Sequence, residues 1–311
     1  MSAQLEPTIT QTIRHQRTAA VPLITVATIT RNAAAVLELT IRSVLGQTYP
    51  NLEYLIIDGA STDNSIDIIR KFEGSISRWT SEPDRGISHA LNKAAAMARG
   101  DAIIFMNSGD RFRSPEALSA MVAALDQPVR QAQGEPVRQG QGGPYDLRTM
   151  IVYGDSVIVG DGSPRLEVGD HHGLDRRNCV CHQSVLVGID VQRSYRYDER
   201  LFASMDYDVW LRCLPLVPFM RVPVVVCERA HGGISSSKST EIAVVLERSL
   251  VQLLHVPPQR RARRVTWFVW KVVSITVKHA LWCLLGERGH TRLKTLYRPL
   301  AGPSTNSGRA G

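Results

Sequence analysis

The stretch Gly100-Asp-Ala-Ile-Ile-Phe-Met-Asn-Ser-Gly-Asp110 decides the fold class of this chain. Ala102 to Met106 is apolar, β-branched and aromatic, as buried strands are, and Asn, Ser and Gly are typical turn residues. Ligands of open α/β sheets bind just beyond the carboxyl ends of the strands. Asp110 is therefore predicted to lie where a divalent cation meets a phosphate, since Mg²⁺ usually takes one or two carboxylates plus substrate phosphates. The alternative is an Asp that only caps a helix beginning near Pro115.

Three further apolar, β-prone runs precede this strand, at residues 23–30, 52–57 and 76–80. Three predicted helices separate these strands. In the first, residues 36, 37, 41, 44 and 45 share one face. The second follows Asp63 or Asn64, and the third covers about residues 88–98. This β-α-β-α-β-α-β order predicts an α/β fold with a doubly wound, mostly parallel sheet.

Each predicted strand ends in polar residues. The first ends near residues 28–32, the second at Asp58, the third at Asp84-Arg85 and the fourth at Asp110. One such Asp is usually a helix cap or turn residue, and this alternative stays open for Asp58 and Asp84. Because parallel strands end at one sheet edge, four together predict a nucleotide site there.

The second half of the chain is less regular. Residues 127–148 are rich in Gln, Gly, Pro and Arg, which predicts a flexible insertion, and strands are predicted at 150–159, 184–187 and 220–227. Asp206 falls in the first turn of a predicted helix, where the helix dipole favours an anion. Asp208 is the alternative functional acid of that helix.

Composition limits the class of protein less sharply than these motifs do. A 311-residue chain with 43% hydrophobic and 21% charged residues is ordinary for a soluble protein with a sizeable core. Its five cysteines are scattered, which predicts reduced thiols and no disulfide framework. Residues 1–20 are polar, predict a flexible arm and contain no signal-peptide core, so we expect a cytoplasmic protein.

The basic charge lies at the carboxyl end, where eleven Lys or Arg residues and one acid, Glu287, follow His255. Residues 265–285 place Lys271, Ser274 and Lys278 on one helical face with Trp and aliphatic residues around the rest. This favours a basic helix lying at an anionic membrane surface over a spanning helix or nucleic-acid binding. The alternative is a helix packed on the domain or on a second subunit.

Short motifs in a fixed order carry a resemblance to a known family. They are Thr28-Ile-Thr-Arg-Asn32, Ser43-Val-Leu-Gly-Gln47, Tyr49-Pro-Asn-Leu-Glu53, Ile57-Asp-Gly-Ala-Ser-Thr-Asp63, Glu82-Pro-Asp-Arg-Gly-Ile87, Ala90-Leu-Asn-Lys93, Met106-Asn-Ser-Gly-Asp110, Cys181-His-Gln183, Asp206-Tyr-Asp-Val-Trp210 and Gly232-Gly-Ile-Ser235. With them the chain resembles the family 2 glycosyltransferases of bacterial polysaccharide and glycolipid synthesis, which have the GT-A fold. The likeness covers roughly residues 21–240. Residues 241–300 are then a helical, basic, membrane-associating extension, and residues 301–311 a disordered tail.

The resemblance implies a role for each matching position. Asp110 looks like the ligand of Mg²⁺ or Mn²⁺ on the donor diphosphate, and Asp206 like the catalytic base. The donor-binding positions are Thr28, Asp58, Asp84, Arg85 and Asn107. His182 and Gln183 look like acceptor-side residues, although His182 is alternatively a hydrogen-bonded structural histidine.

The implied enzyme is an inverting glycosyltransferase, peripheral on the cytoplasmic membrane face. It would move a sugar from a nucleotide-sugar donor to a lipid-linked or saccharide acceptor. Two alternatives remain. A sugar nucleotidyltransferase would need a Gly-rich loop after the first strand, and residues 28–35 contain no glycine. A non-catalytic sugar-binding or scaffold protein is suggested by Gly59 and Gly109, which stand where many relatives have a second acid.

Overall fold

The computed structural model describes residues 21–125, 146–160, 163–175, 177–230 and 240–255, and short helical pieces at 265–266, 268–270 and 272–274. The predicted arm (1–20), most of the predicted insertion (127–148), the 232–235 motif and the predicted disordered tail (301–311) lie outside the described residues. Most of the predicted amphipathic helix (265–285) lies outside them as well.

The first half of the chain folds as the alternating pattern predicts. Four parallel strands stand in the sheet order β3-β2-β1-β4. The elements are β1 (Ile24–Thr30), α1 (Ala34–Leu45), β2 (Leu52–Asp58), α2 (Ser65–Lys71), β3 (Arg78–Ser81), α3 (Ile87–Met97) and β4 (Ala102–Phe105). Strand order reverses between β1 and β4, and such a switch point opens a crevice at the carboxyl edge of the sheet.

The second half continues the same sheet with mixed strand directions. The elements are β5 (Arg111–Phe112), α4 (Ala117–Ala123), β6 (Ile151–Val159), β7 (Arg165–Glu167), β8 (Val185–Gly188), α5 (Ile189–Ser194), α6 (Met205–Cys213) and β9 (Phe219–Ala230). β8 runs antiparallel to both β4 and β6, whereas β9 is parallel to β6. Three of the parallel pairs, β1-β2, β1-β4 and β2-β3, lie in the first half of the chain, and β6-β9 adds a fourth.

Two apolar layers cover the sheet, because alternate residues of a strand point to opposite faces. Ala27 and Ile57 belong to the layer that also contains residues of α3, α5 and α6. Val26 and Ile56 belong to the layer that contains residues of α1, α2 and α4. Burial on both faces explains why β1 and β2 are almost continuously apolar in sequence.

A final described helix, α7 (Glu241–His255), packs on this domain. Val251 is fully buried in the same apolar cluster as Trp210 of α6, while Leu250 and Leu254 are 52% and 64% exposed. The first part of the predicted extension thus contacts the domain directly. Among the described residues, no helix combines the length and apolar character required to cross a bilayer.

Gly188, at the end of β8, offers a test of how tightly this sheet is packed. A Cβ at this position would overlap the backbone of Leu147 and Arg148. We expect Gly188→Ala to lower the free energy of unfolding by about 1–3 kcal/mol, the usual cost of overpacking. Urea unfolding followed by circular dichroism measures this change.

Gly74→Ala is the matched control, since no described atom lies within 4 Å of the Cβ it would add. It should change the free energy of unfolding by less than about 1 kcal/mol. Equal effects of the two substitutions would contradict the tight packing at Gly188.

Candidate active site

Asp58 is the last residue of β2 and is fully buried at the carboxyl edge. Its Oδ2 accepts hydrogen bonds from the Ser61 amide at 2.9 Å and the Ser81 hydroxyl at 2.6 Å, and its Oδ1 accepts from the Ser61 hydroxyl. Ser61 Oγ in turn accepts from the Asn32 amide at 2.8 Å. Asp58 therefore ties together the ends of three neighbouring strands.

Thr28 lies inside the sheet. It is fully buried, and its hydroxyl lies 3.0 Å from the Tyr54 hydroxyl. Thr30, two residues closer to the edge and level with Asp58, has a buried hydroxyl with no hydrogen-bonding partner among the described residues. An unsatisfied buried hydroxyl at the switch point makes Thr30 a candidate that the motif comparison did not single out.

Asp84 is held by a lysine from the following helix. Lys93 Nζ lies 2.5 Å from Asp84 Oδ1 and 3.0 Å from Glu82, and His89 Nδ1 lies 3.3 Å from Asp84 Oδ1. Burial by itself lowers the pKa of Lys93, but its hydrogen bonds to Asp84 and Glu82 outweigh burial and raise that pKa. Lys93 therefore remains charged and neutralises Asp84.

Arg85 pairs with Glu199, at 2.6 Å from Nη2 to Oε2. The arginine side chain is 70% exposed, and exposed pairs of this kind contribute little to stability. Arg85 is therefore an exposed cation just after β3, held by a weak surface ion pair.

The turn that carries Asp110 is clamped by Thr40 of α1. The Thr40 hydroxyl donates to the Asp110 carbonyl at 2.8 Å and accepts from the Gly109 amide at 3.0 Å. Gly109 has a φ of +95°, a conformation that L side chains rarely adopt. On the Asp110 side chain, Oδ2 accepts a hydrogen bond from Gln183 Nε2 at 2.9 Å.

Local geometry thus accounts for both glycines that depart from the family pattern. Any side chain at Gly109 would be strained by its φ. A Cβ at Gly59 would lie 2.9 Å from Asp84 Oδ2 and 3.3 Å from the Arg31 side chain. These glycines therefore do not by themselves indicate a degenerate site.

The residues around this turn fit a divalent cation shared with a diphosphate. Asp110 supplies a carboxylate, and Asn107 Oδ1 is buried without a hydrogen-bonding partner among the residues described. Hard cations such as Mg²⁺ and Mn²⁺ prefer oxygen ligands of this kind. Within the described ranges, no group of three or more His, Cys, Asp or Glu side chains could hold a metal ion.

Asp206 begins α6, as the sequence predicts, and its carboxylate is oriented by two donors. Asn178 Nδ2 donates to Oδ2 at 3.1 Å, and the Tyr207 amide donates to Oδ1 at 2.7 Å. Asn178 lies 28 residues away and was part of no motif. Its own Oδ1 is buried without a hydrogen-bonding partner in the described structure, which leaves it available to a ligand.

Asp208, the alternative acid of this helix, makes structural contacts. It binds Arg212 at 2.8 Å and His255 at 2.8 Å. Burial raises the pKa of Asp208, but the hydrogen bond from His255 and the nearby Arg212 charge more than offset this and lower it. Both of its oxygens are thus engaged by side chains of the protein.

His182 is buried and lies within a ring of aromatic residues. Its Nε2 is 2.8 Å from the Tyr197 hydroxyl, and it stacks on Phe105 with ring centroids 5.0 Å apart. Burial lowers the pKa of His182, and the Asp206 charge opposes only part of this effect. His182 is therefore neutral at pH 7 and contributes structure and polarity near Asp206.

His182 and Gln183 join the two candidate acids. Gln183 hydrogen-bonds Asp110, while its neighbour His182 packs on Trp210 of α6, the helix in which Asp206 lies, with ring centroids 6.1 Å apart. One dipeptide therefore brings the metal candidate from the first half of the chain near the base candidate from the second.

The model for glycosyl transferase family 2 matches residues 25–184, about half of the chain. The chain belongs to this family. The matched region contains the candidate donor edge, Asp110 and the His182-Gln183 pair, and it ends before Asp206.

Two relatives show how far the similarity to this family 2 chain extends. An uncharacterized glycosyltransferase of Mycobacterium tuberculosis is 36% identical over 116 residues, which are 36% of this chain and 44% of that protein. A PGL/p-HBAD biosynthesis glycosyltransferase of Mycobacterium bovis is 27% identical over 233 residues, covering 70% of this chain and 81% of that protein. The chain thus aligns with less than half of the first relative.

Solved structures confirm the fold. A mannosyltransferase from Pyrobaculum calidifontis in complex with GDP-Man and Mn²⁺ superposes with a TM-score of 0.56 and 16% identity, covering 90% of this chain and 82% of that one. S. aureus TarS 1–349 in complex with UDP-GlcNAc gives a TM-score of 0.56 at 15% identity, covering 79% and 71%. The α/β fold expected from the family resemblance is therefore confirmed.

The lowered pKa of His182 gives this family 2 domain a testable pH dependence. As pH falls below about 6.5, the ordinary histidine pKa, the unfolded chain binds a proton that folded His182 resists. Stability is therefore present above this pH and is lost below it. We expect His182→Gln to reduce the fall in free energy of unfolding between pH 7.5 and pH 5.

Urea unfolding at the two pH values measures this effect, and nuclear magnetic resonance titration of the His182 ring provides an independent check. A ring that titrates above pH 6.5 would contradict the assignment.

Proposed function

We propose that this chain is a divalent-metal-dependent, inverting glycosyltransferase. It transfers a sugar from a nucleotide-sugar donor to a lipid-linked or saccharide acceptor at the cytoplasmic face of the membrane. The observation that carries the proposal is the His182-Gln183 dipeptide, because Gln183 hydrogen-bonds Asp110 and His182 packs on Trp210 of α6, the helix in which Asp206 lies.

The carboxyl edge of β1, β2 and β4 is the proposed donor site. Thr30, Asn107 and the Asp58-bound loop surround the switch point, and Arg85 stands at its rim. A divalent ion held by Asp110 would stabilise the charge that develops on the departing diphosphate. Arg85 would leave Glu199 and add a second positive charge there.

Asp206 is the proposed general base. An acceptor hydroxyl must lose its proton as it attacks the sugar, and a positioned carboxylate contributes about 10²–10⁴-fold to such a step. Asn178 and the Tyr207 amide fix the carboxylate without adding a cation that would suppress its basicity. A single base placed across from the leaving group implies one displacement and inversion.

The relatives' names support the acceptor class. One relative is named for PGL/p-HBAD biosynthesis and another, from Bacillus subtilis, for teichuronic acid biosynthesis. The described part of the basic extension exposes Val265, Val269, Trp270 and Val273, each at least 46% accessible. Apolar side chains of this kind beside a basic segment favour an anionic membrane surface as partner.

Donor binding is the first test. Calorimetry with nucleoside diphosphates that include UDP and GDP should find one that binds in the presence of Mn²⁺. Asp110→Asn should weaken this Mn²⁺-dependent binding by more than about 10-fold, because it removes the proposed anionic ligand.

Asp101→Asn is the matched control. Asp101 directly precedes β4, at the edge of the sheet opposite Asp110, and it binds the Leu23 amide and Arg148 there. It should leave nucleotide binding unchanged. Absence of nucleotide binding in the wild type would overturn the proposed function.

Transfer of a labelled sugar from that donor to a membrane lipid extract tests the base. Asp206→Asn should lower kcat by about 10²–10⁴-fold and leave nucleotide binding intact. Asp208→Asn in the same helix should act mainly on stability, because Asp208 is already bound by Arg212 and His255. The reverse result would assign the base to Asp208.

A further inference from the structure

The amino-terminal end of α6 is held by a side chain from outside the region that the family model matches. Glu247 of α7 accepts hydrogen bonds from three consecutive backbone amides that precede the helix: those of Phe202, Ala203 and Ser204, at 2.5, 2.8 and 2.6 Å. Glu247 lies 63 residues beyond the matched region, which ends at residue 184.

Glu247 holds the backbone that leads into α6. The amides it binds belong to residues 202–204 and precede the first helical residue, Met205. Ser204 occupies the cap position of α6 and makes no side-chain cap hydrogen bond. The Glu247 carboxylate fixes the segment that contains this cap position, and charge-assisted bonds of this kind are stronger than neutral ones.

Two other residues of α7 hold the helix just after Asp206. Gln252 Nε2 donates to the Tyr207 hydroxyl at 2.9 Å, and His255 Nε2 lies 2.8 Å from Asp208 Oδ1. Asp206 therefore lies between residues that α7 holds on both sides. Displacement of α7 would release the segment that determines where this carboxylate points.

We infer that Glu247 is a positioning residue for the base Asp206, which makes α7 part of the catalytic unit. This inference rests on the proposed function. Glu247 binds the backbone amides of residues 202–204, just before Asp206. It therefore acts through Asp206 and is not itself a catalytic residue. Misplacement of a reacting group by about 1 Å can cost on the order of 10²-fold in rate.

The test is a comparison of kcat and KM for full-length Glu247→Gln, with donor selected by calorimetry and a membrane lipid extract as acceptor. The amide keeps the side chain's length but turns an N–H group towards a backbone donor. We expect kcat to fall about 10- to 100-fold, with the donor KM and the nucleoside diphosphate Kd within about twofold of wild type. Glu247→Asp, which keeps the charge, should recover part of the lost kcat.

Gly188→Ala is the control for stability, because Gly188 pairs with Ala102 at the amino end of β4, at the edge opposite the site, and its added Cβ would meet Leu147 and Arg148. At a temperature where both variants are folded, it should keep the wild-type kcat. A wild-type kcat in Glu247→Gln, or equal losses in the two variants, would overturn the positioning role. Should Glu247→Gln not fold, the same comparison with Glu247→Asp decides, and an unchanged kcat there would count against the inference.

Failure of the inference is distinguishable from failure of the proposed function. If the wild type binds a nucleotide and transfers sugar while Asp206→Asn does not, the proposed function stands whatever Glu247 does. If the wild type neither binds nor transfers, the proposed function itself has failed.

Discussion

The arrangement of β1 between two parallel neighbours is the constraint on which the rest of the structure depends. β2 lies on one side of β1 and β4 on the other, both in parallel register with it. Parallel strands need crossover connections, and these leave each strand's carboxyl end pointing to the same edge. The turns after all three strands therefore meet at one crevice, where Thr30, Asp58 and the Asp110 turn come together.

Charges at this edge are controlled by partners that differ in kind. Asp58 is held by hydroxyl and amide donors, Asp84 by Lys93, and Asp110 by the neutral amide of Gln183. A buried carboxylate that already has a cation is costly to recruit for another role. Asp84, which Lys93 neutralises, is therefore the least suited of these acids to bind a metal ion.

The second half of the sheet brings the two acids together. β8 pairs antiparallel with β4, so the segment that precedes β8 passes the carboxyl edge and delivers His182 and Gln183 there. α6 packs under the same sheet through Trp210, and α7 packs on α6. A mixed sheet therefore completes a site that the parallel half alone leaves open.

The sequence by itself determined the alternating order of strands and helices, the acidic residues after β2, β3 and β4, and the family. These features depend on local patterns: apolar runs form buried strands, and turn residues follow them. It also predicted Asp206 at the start of a helix. In the structure Asp206 does lie in the first turn of α6, and Thr30 lies closer to the carboxyl edge of the sheet than Thr28, which is buried against Tyr54.

Only the tertiary structure decided which of these polar residues act together. The structure pairs Asp84 with Lys93, Arg85 with Glu199 and Asp206 with Asn178, and it places Glu247 on the backbone before α6. These contacts join residues that are far apart in sequence or that no local pattern links. A side chain's partner depends on how helices and strands pack, and sequence periodicity specifies which face a residue occupies but not which residue it meets. For this reason the candidate acids could be named from the sequence, whereas the groups that set their charge and direction could not.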